Sequence, residues 1–171
     1  MKTSQCTDRR IALFPGSFDP FTRGHESIVE RALPLFDEIV IAIGVNVNKH
    51  TLTSMEQRQQ WIKSTFSHEP RVRVIAYTGL TADAARQCGA RFLLRGVRTV
   101  ADFESEMAMA DINRELSGLE TVLLYTLPEC SHISSSMVRE LVKYGQSVDR
   151  YLPRGLDRSL VPPEWTGAEH K

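Results

Sequence analysis

Five short, largely apolar runs, several of them rich in β-branched residues, at 11–14, 39–43, 72–76, 92–94 and 122–125, alternate with longer segments of helical character at about 25–33, 54–66, 80–88 and 101–116. A further helical segment at about 135–144 follows the last run. Each run is too short for a helix and is bounded by turn or charged residues, so each reads as a strand. Strands that alternate with helices cannot be joined by hairpins. The pattern therefore predicts an α/β domain whose five-stranded parallel sheet is covered by helices on both faces. Ser54-Met55-Glu56-Gln57 has the form of a capping box and starts the second helix. Pro34 should end the first near Leu33. Residues 1–9 are polar and are expected to be a flexible segment, 10–161 the domain, and 162–171 a flexible tail broken by Pro162-Pro163 and Gly167.

In such sheets ligands bind beyond the carboxyl ends of the strands, near the point where strand order reverses. The loops after the strands hold Ser17 and His25, Lys49, Leu80 and Thr81, Arg95 and Arg98, and residues 131–136. After the first strand comes Pro15-Gly16-Ser17-Phe18-Asp19-Pro20-Phe21-Thr22-Arg23-Gly24-His25, a glycine-bearing turn that leads into a helix. Backbone N–H groups and the positive end of the helix dipole then converge on one point, where a phosphate is the natural occupant. The turn lacks the Gly-Lys-Ser/Thr ending of a P-loop and the close glycine spacing of the dinucleotide fingerprint. His25 at this helix start can donate to phosphate oxygens whose charge grows in a transition state, or can serve as an ordinary cap.

Leu94-Arg95-Gly96-Val97-Arg98 sets two guanidinium groups at a strand end, suited to forked contacts with separate phosphates. Ile133-Ser134-Ser135-Ser136 puts three hydroxyls at the start of the last helix, where serines are also common N-caps. Lys49 suits a point charge for a second phosphate or a solvated loop position. In the 101–116 segment, Phe103, Met107, Ala110 and Met109 are read as an apolar packing face, within the domain or between subunits, and the acids among Asp102, Glu104, Glu106, Asp111 and Glu115 as mostly solvent-facing.

Composition limits the function. The 171 residues carry 21 basic and 21 acidic side chains, a balance that disfavours a general grip on nucleic acid. Three widely spaced cysteines, Cys6, Cys88 and Cys130, suit neither a disulfide framework nor a zinc site and point to a reducing cytoplasm. No apolar stretch is long enough to cross a membrane, and no signal-peptide pattern opens the chain.

Taken together, Gly16-Ser17-Phe18-Asp19-Pro20, Thr22-x-Gly24-His25, Arg95-Gly96-Val97-Arg98-x-x-x-Asp102-Phe103-Glu104 and Ile133-Ser134-Ser135-Ser136 resemble the motifs of the phosphopantetheine adenylyltransferases, in order and over about residues 10–153. The resemblance implies a single dinucleotide-binding-like, Rossmann-type domain. It also implies transfer of the adenylyl group of ATP to 4′-phosphopantetheine, giving dephospho-coenzyme A and pyrophosphate. Mg2+ would accompany the ATP, coenzyme A would be a candidate feedback ligand, and the assembly would be a homohexamer, a dimer of trimers. By carry-over, Ser17, Lys49, Thr81 and Arg95 would contact phosphopantetheine, with Thr81 acting through its backbone. ATP would meet Ser17, Phe18, His25, Gly96, Val97, Arg98, Glu106, Cys130, Ser131, His132, Ile133, Ser134, Ser135 and Ser136. His25 would be the main transition-state stabiliser, helped by Lys49 and Arg98, and no protein side chain is assigned to a metal.

Phe14 stands where members often have tyrosine, and Cys130 and His132 where aromatic residues are frequent. A competing acceptor such as nicotinamide mononucleotide, or CTP as donor, is disfavoured by Thr22 and by the serine motif. A non-catalytic nucleotide-binding protein of the same fold is the remaining alternative.

Overall fold

The computed structural model describes residues 9–45 and 50–167. The strands are β1 (Ile11–Gly16), β2 (Glu38–Gly44), β3 (Val72–Tyr77), β4 (Phe92–Val97) and β5 (Glu120–Tyr125), all parallel in the order β3-β2-β1-β4-β5. The helices are α1 (Arg23–Ala32), α2 (Met55–Thr65), α3 (Thr81–Cys88), α4 (Val100–Ser117), α5 (Ser135–Lys143) and α6 (Pro163–Thr166). From β1 the sheet grows outward through β2 and β3, then restarts on the other side of β1 with β4. The switch point therefore lies between the carboxyl ends of β1 and β4.

The alternation of side chains along the central strands explains why both faces are covered. Ala12 and Phe14 of β1, with Ile39, Ile41 and Ile43 of β2, join Ile28, Val29 and Ala32 of α1 and Ile62 of α2 on one face. Leu13, Val40 and Ala42 point the other way, onto Ala82, Ala84 and Ala85 of α3. The capping box closes as expected, with Gln57 N–H donating to Ser54 Oγ at 3.1 Å and Ser54 N–H to Gln57 Oε1 at 2.9 Å. Helix α1 ends at Ala32, ahead of Pro34.

Three expectations are corrected. Pro15 and Gly16 belong to β1, paired with Ala42 and Ile43, and Arg95 belongs to β4, paired with Leu123. Strand pairing outruns the apolar runs because a small or charged residue is tolerated where the sheet meets a cavity. Residues 162–167 do not hang loose: Trp165 is buried and packs edge-on to Trp61 at 5.5 Å between ring centroids, within a cluster that includes Val138 of α5, Tyr151 and Leu156. Helix α4 departs from expectation in its acids, two of which face inward. It buries none of its residues, leaves Phe103, Met107, Met109 and Ile112 exposed, and turns Asp102, Glu106, Ala110 and Asn113 inward. This inward stripe is polar because it borders the cavities described next.

Candidate active site

The β1–α1 loop is pinned from three sides. Gly16 is required where it stands, since a β-carbon there would overlap the ring of Phe18. Phe18 itself has a φ of 48° and is buried. The strain of that left-handed residue is held by its neighbours. The buried Asp19 carboxylate accepts from Leu52 N–H at 2.8 Å, Thr53 N–H at 2.8 Å and Thr53 Oγ1 at 2.6 Å, which ties the loop to the residues before α2. Arg58 of α2 donates to the Ser17 carbonyl and Arg139 of α5 to that of Asp19, each at 2.7 Å.

His25 sits in the first turn of α1 inside an aromatic cage of Phe14, Phe18 and Phe21, with centroid separations of 6.2, 5.2 and 5.2 Å. Its Nδ1 accepts from the Thr22 backbone N–H at 3.0 Å and lies 3.0 Å from Thr22 Oγ1. Burial, and then the charges of Arg98 and Arg95, lower its pKa to about 4. The ring is therefore neutral near pH 7. With Nδ1 occupied as an acceptor, the proton is on Nε2.

Arg95 and Arg98 leave the end of β4 together, and α4 supplies a carboxylate to each. Arg95 donates from Nε to Glu106 Oε2 at 2.7 Å, from Nη2 to Glu106 Oε1 at 2.5 Å, and from Nη1 to the Pro15 carbonyl at 2.7 Å. Arg98 donates from its backbone N–H and from Nε to Asp102 Oδ2, both at 3.1 Å. Burial pushes the Asp102 carboxyl up, but the hydrogen bonds and charge of Arg98 outweigh it and hold the group below its ordinary value.

The serine run divides its work. Ser134 caps α5 by accepting from Met137 N–H at 3.1 Å, and Ser135 Oγ donates to the Pro20 carbonyl at 2.9 Å. Ser136 Oγ accepts from Arg139 Nη2 at 2.9 Å. The hydroxyls thus build the wall. With the Met137 N–H taken by Ser134, the Ser135 and Ser136 N–H groups at the start of α5 have no intrahelical acceptor and are the donors left for an anion.

Two cavities meet at the switch point. One, of about 410 Å³, is mostly polar and is lined by Ser17, Phe18, His25, Gly96, Arg98, Asp102 and Ile133 with the serines of α5. The other, of about 640 Å³, is mostly apolar and extends past Thr81, Tyr77 and Leu93 to Met109, Ala110 and Asn113. Pro15, Gly16, Ser17, Arg95 and Glu106 line both and form the shared wall.

The structure brings together Ser17, Phe18, His25, Arg95, Gly96, Arg98, Glu106 and 133–136 in one cleft, with Thr81 across the larger cavity. The Thr81 hydroxyl lies 3.0 Å from that of Tyr77, and the Thr81 N–H, the first of α3, has no intrahelical acceptor. Val97, Cys130, Ser131 and His132 do not line either cavity. Val97 is buried, Cys130 is buried in the α5 cluster, Ser131 Oγ donates to the Pro128 carbonyl, and His132 stacks edge-on to Tyr151. No side chain of these four is a platform for a base in this conformation. Lys49 lies outside the described residues. Tyr77 and Asn113 are lining residues that the motifs do not single out, and Asp102, present in the third motif but expected to face solvent, lines the polar cavity. The spacing of Asp102, Glu106 and Ala110 at four-residue steps is the signal that marks one inward stripe of α4.

Among the described residues no group of three or more His, Cys, Asp or Glu is placed to hold a metal, and no helix is long and apolar enough to cross a membrane.

The cytidylyltransferase-like family model matches residues 13–141. A phosphopantetheine adenylyltransferase of Bacteroides thetaiotaomicron is 50% identical over 148 residues, covering 86% of this chain and 98% of that protein. Its counterpart in Porphyromonas gingivalis is 55% identical over 147 residues, 86% of this chain and 96% of that protein. Among solved structures, a bifunctional NMN adenylyltransferase/ADP-ribose pyrophosphatase of Francisella tularensis, complexed with AMP and a manganese ion, superposes with a TM-score of 0.66 at 15% identity. It covers 94% of this chain but 47% of that one, and its likeness is one of fold.

Proposed function

The chain belongs to the phosphopantetheine adenylyltransferase family, and we propose that it transfers the adenylyl group of ATP reversibly to the phosphate of 4′-phosphopantetheine, releasing pyrophosphate and dephospho-coenzyme A. The observation that carries this reading is the meeting of a polar and an apolar cavity at one wall of Ser17 and Arg95. The polar cavity suits the triphosphate, and the apolar one suits the pantetheine arm. A phosphate at the head of that arm would reach the shared wall and face the α-phosphorus of ATP.

The acceptor is an anionic phosphate monoester near neutral pH, so it needs no general base. What the protein must supply is alignment of two mutually repelling anions and stabilisation of charge on the transferring group. The neutral imidazole of His25 offers Nε2–H for that purpose, held rigid by Thr22 and the phenylalanine cage. Arg98 and the first turn of α5 would hold the triphosphate. Ser17, Arg95 and the Thr81 backbone would hold phosphopantetheine, and Lys49 would add a charge from the loop after β2. At positions 97 and 130–132 any contact with the nucleotide would come through the backbone.

A divalent cation, Mg2+ in this proposal, fits as a companion of the triphosphate rather than a resident ion. Asp102 and Glu106, the carboxylates that line the polar cavity, are each paired with an arginine, so phosphate oxygens and water would supply most ligands. When bound, the ion neutralises phosphate charge. The exposed apolar side of α4 supports a homohexamer, a dimer of trimers, in which that helix is buried. The unpaired thiols of Cys88 and Cys130 and the phosphorylated substrates fit a cytoplasmic enzyme, with coenzyme A as a candidate feedback ligand for the same cleft.

Pyrophosphate release from ATP and Mg2+ tests the reading. Release is expected with 4′-phosphopantetheine and not with pantetheine lacking the phosphate or with nicotinamide mononucleotide. Folded protein that releases none with any of the three, or that prefers the mononucleotide, would contradict it.

A further inference from the structure

Asp102 and Glu106 stand one turn apart on the inward stripe of α4, and each grips the Nε edge of an arginine from the end of β4. The two pairs are not equivalent. Arg95 has every guanidinium nitrogen engaged, two on Glu106 and the third on the Pro15 carbonyl, which leaves one N–H on each of Nη1 and Nη2 for a ligand. Arg98 is held on one side only: Asp102 Oδ2 takes both its backbone N–H and its Nε, Oδ1 lies 3.5 Å from Nη2, and Nη1 has no partner among the described residues. The carboxylate is itself fixed, because the Asp102 N–H donates to Thr99 Oγ1 at 3.1 Å in the N-cap of α4 and the positive end of the helix dipole favours its charge.

We propose that Asp102 is a positioning residue for adenylyl transfer, which locks the strand end and the guanidinium of Arg98 so that its remaining N–H groups meet the phosphates without a search through rotamers. This inference rests on the function proposed above. A carboxylate placed in a cavity built for a polyanion weakens ground-state binding of that anion, so its contribution is to geometry. Free arginine side chains have many rotamers, and an arginine held by one edge presents the other in a fixed plane. An ion pair about one-third exposed, like this one, adds little to stability, which separates the proposed role from a fold-holding one.

Steady-state pyrophosphate release with ATP and 4′-phosphopantetheine, run alongside thermal melting, tests the proposal. Asp102→Asn, which keeps the size of the side chain, is expected to lower kcat about tenfold. Its KM for ATP should be unchanged or lower, and its Tm should stay within about 2 °C of the parent. Asp102→Glu restores the ion pair and should recover most of the loss. In an Arg98→Ala background, Asp102→Asn should change kcat by less than about twofold, since the residue acts through that arginine. A kcat unaffected by Asp102→Asn, an equal loss in the Arg98→Ala background, or a raised KM for ATP with kcat intact would each overturn the proposal. So would a Tm lowered by more than about 5 °C, which would make Asp102 a residue of the fold. Parent enzyme that releases no pyrophosphate would instead sink the function itself.

Discussion

His25 is a neutral donor by construction, and its behaviour with pH follows. Its pKa, lowered to about 4 by burial first and by Arg98 and Arg95 next, lies below the ordinary 6.5 that applies when the chain unfolds. Between those values the unfolded chain binds the proton more strongly, so stability is complete above about pH 6.5 and is lost as pH falls through 4. Unfolding free energy should drop by about 2 kcal/mol more between pH 7 and 4.5 in the parent than in His25→Gln. Equal pH dependence in the two proteins would contradict the neutral ring. His25→Ala should lower kcat at least about a hundredfold while ATP affinity, measured by calorimetry, changes little. Thr22-x-Gly24-His25 was legible in the sequence because a helix start and a glycine fix where the side chain stands. The tautomer was not legible, because it depends on a backbone N–H three residues earlier.

At the scale of elements, the first turn of α1 is stitched to the carboxyl-terminal part of the chain. The buried Glu26 carboxylate accepts from Arg154 N–H at 2.7 Å and Gly155 N–H at 2.8 Å. A β-carbon on Gly155 would overlap the Thr65 carbonyl at the end of α2. Gly155→Ala should therefore cost at least about 2 kcal/mol in urea unfolding, a penalty of overpacking against backbone that cannot yield. A change below about 0.5 kcal/mol would show that the segment packs differently. The alternation of strand and helix made the sheet readable, since each central strand must be apolar on both faces. On helix α4 the apolar Phe103 and Met107 stay exposed, which agrees with a packing face toward another subunit, whereas Asp102 and Glu106, expected to face solvent, turn inward because they meet Arg98 and Arg95. Trp165 escaped notice because the Pro162-Pro163 break hides a side chain that caps the cluster around Trp61.

The whole molecule places two cavities of opposite character at one switch point, on a chain whose 21 basic and 21 acidic side chains cancel. Any attraction for phosphates must therefore be local, and the proposed site places it where helix starts and β4 arginines converge. The exposed side of α4, with Phe103, Met107 and Ile112, has no apolar partner among the described residues. Light scattering should give the mass of a hexamer for the parent and a smaller species for Met107→Glu, whereas a monomeric parent would refute the assembly. The shared wall leads to the central claim, that the acceptor phosphate in one cavity attacks the α-phosphorus held in the other in a single in-line step. The stereochemical course tests it most directly, using ATP with one chiral sulfur-substituted α-phosphate and 4′-phosphopantetheine as acceptor. Inversion at phosphorus is the predicted result. Retention would mean two displacements through a covalent nucleotidyl-enzyme and would contradict the account.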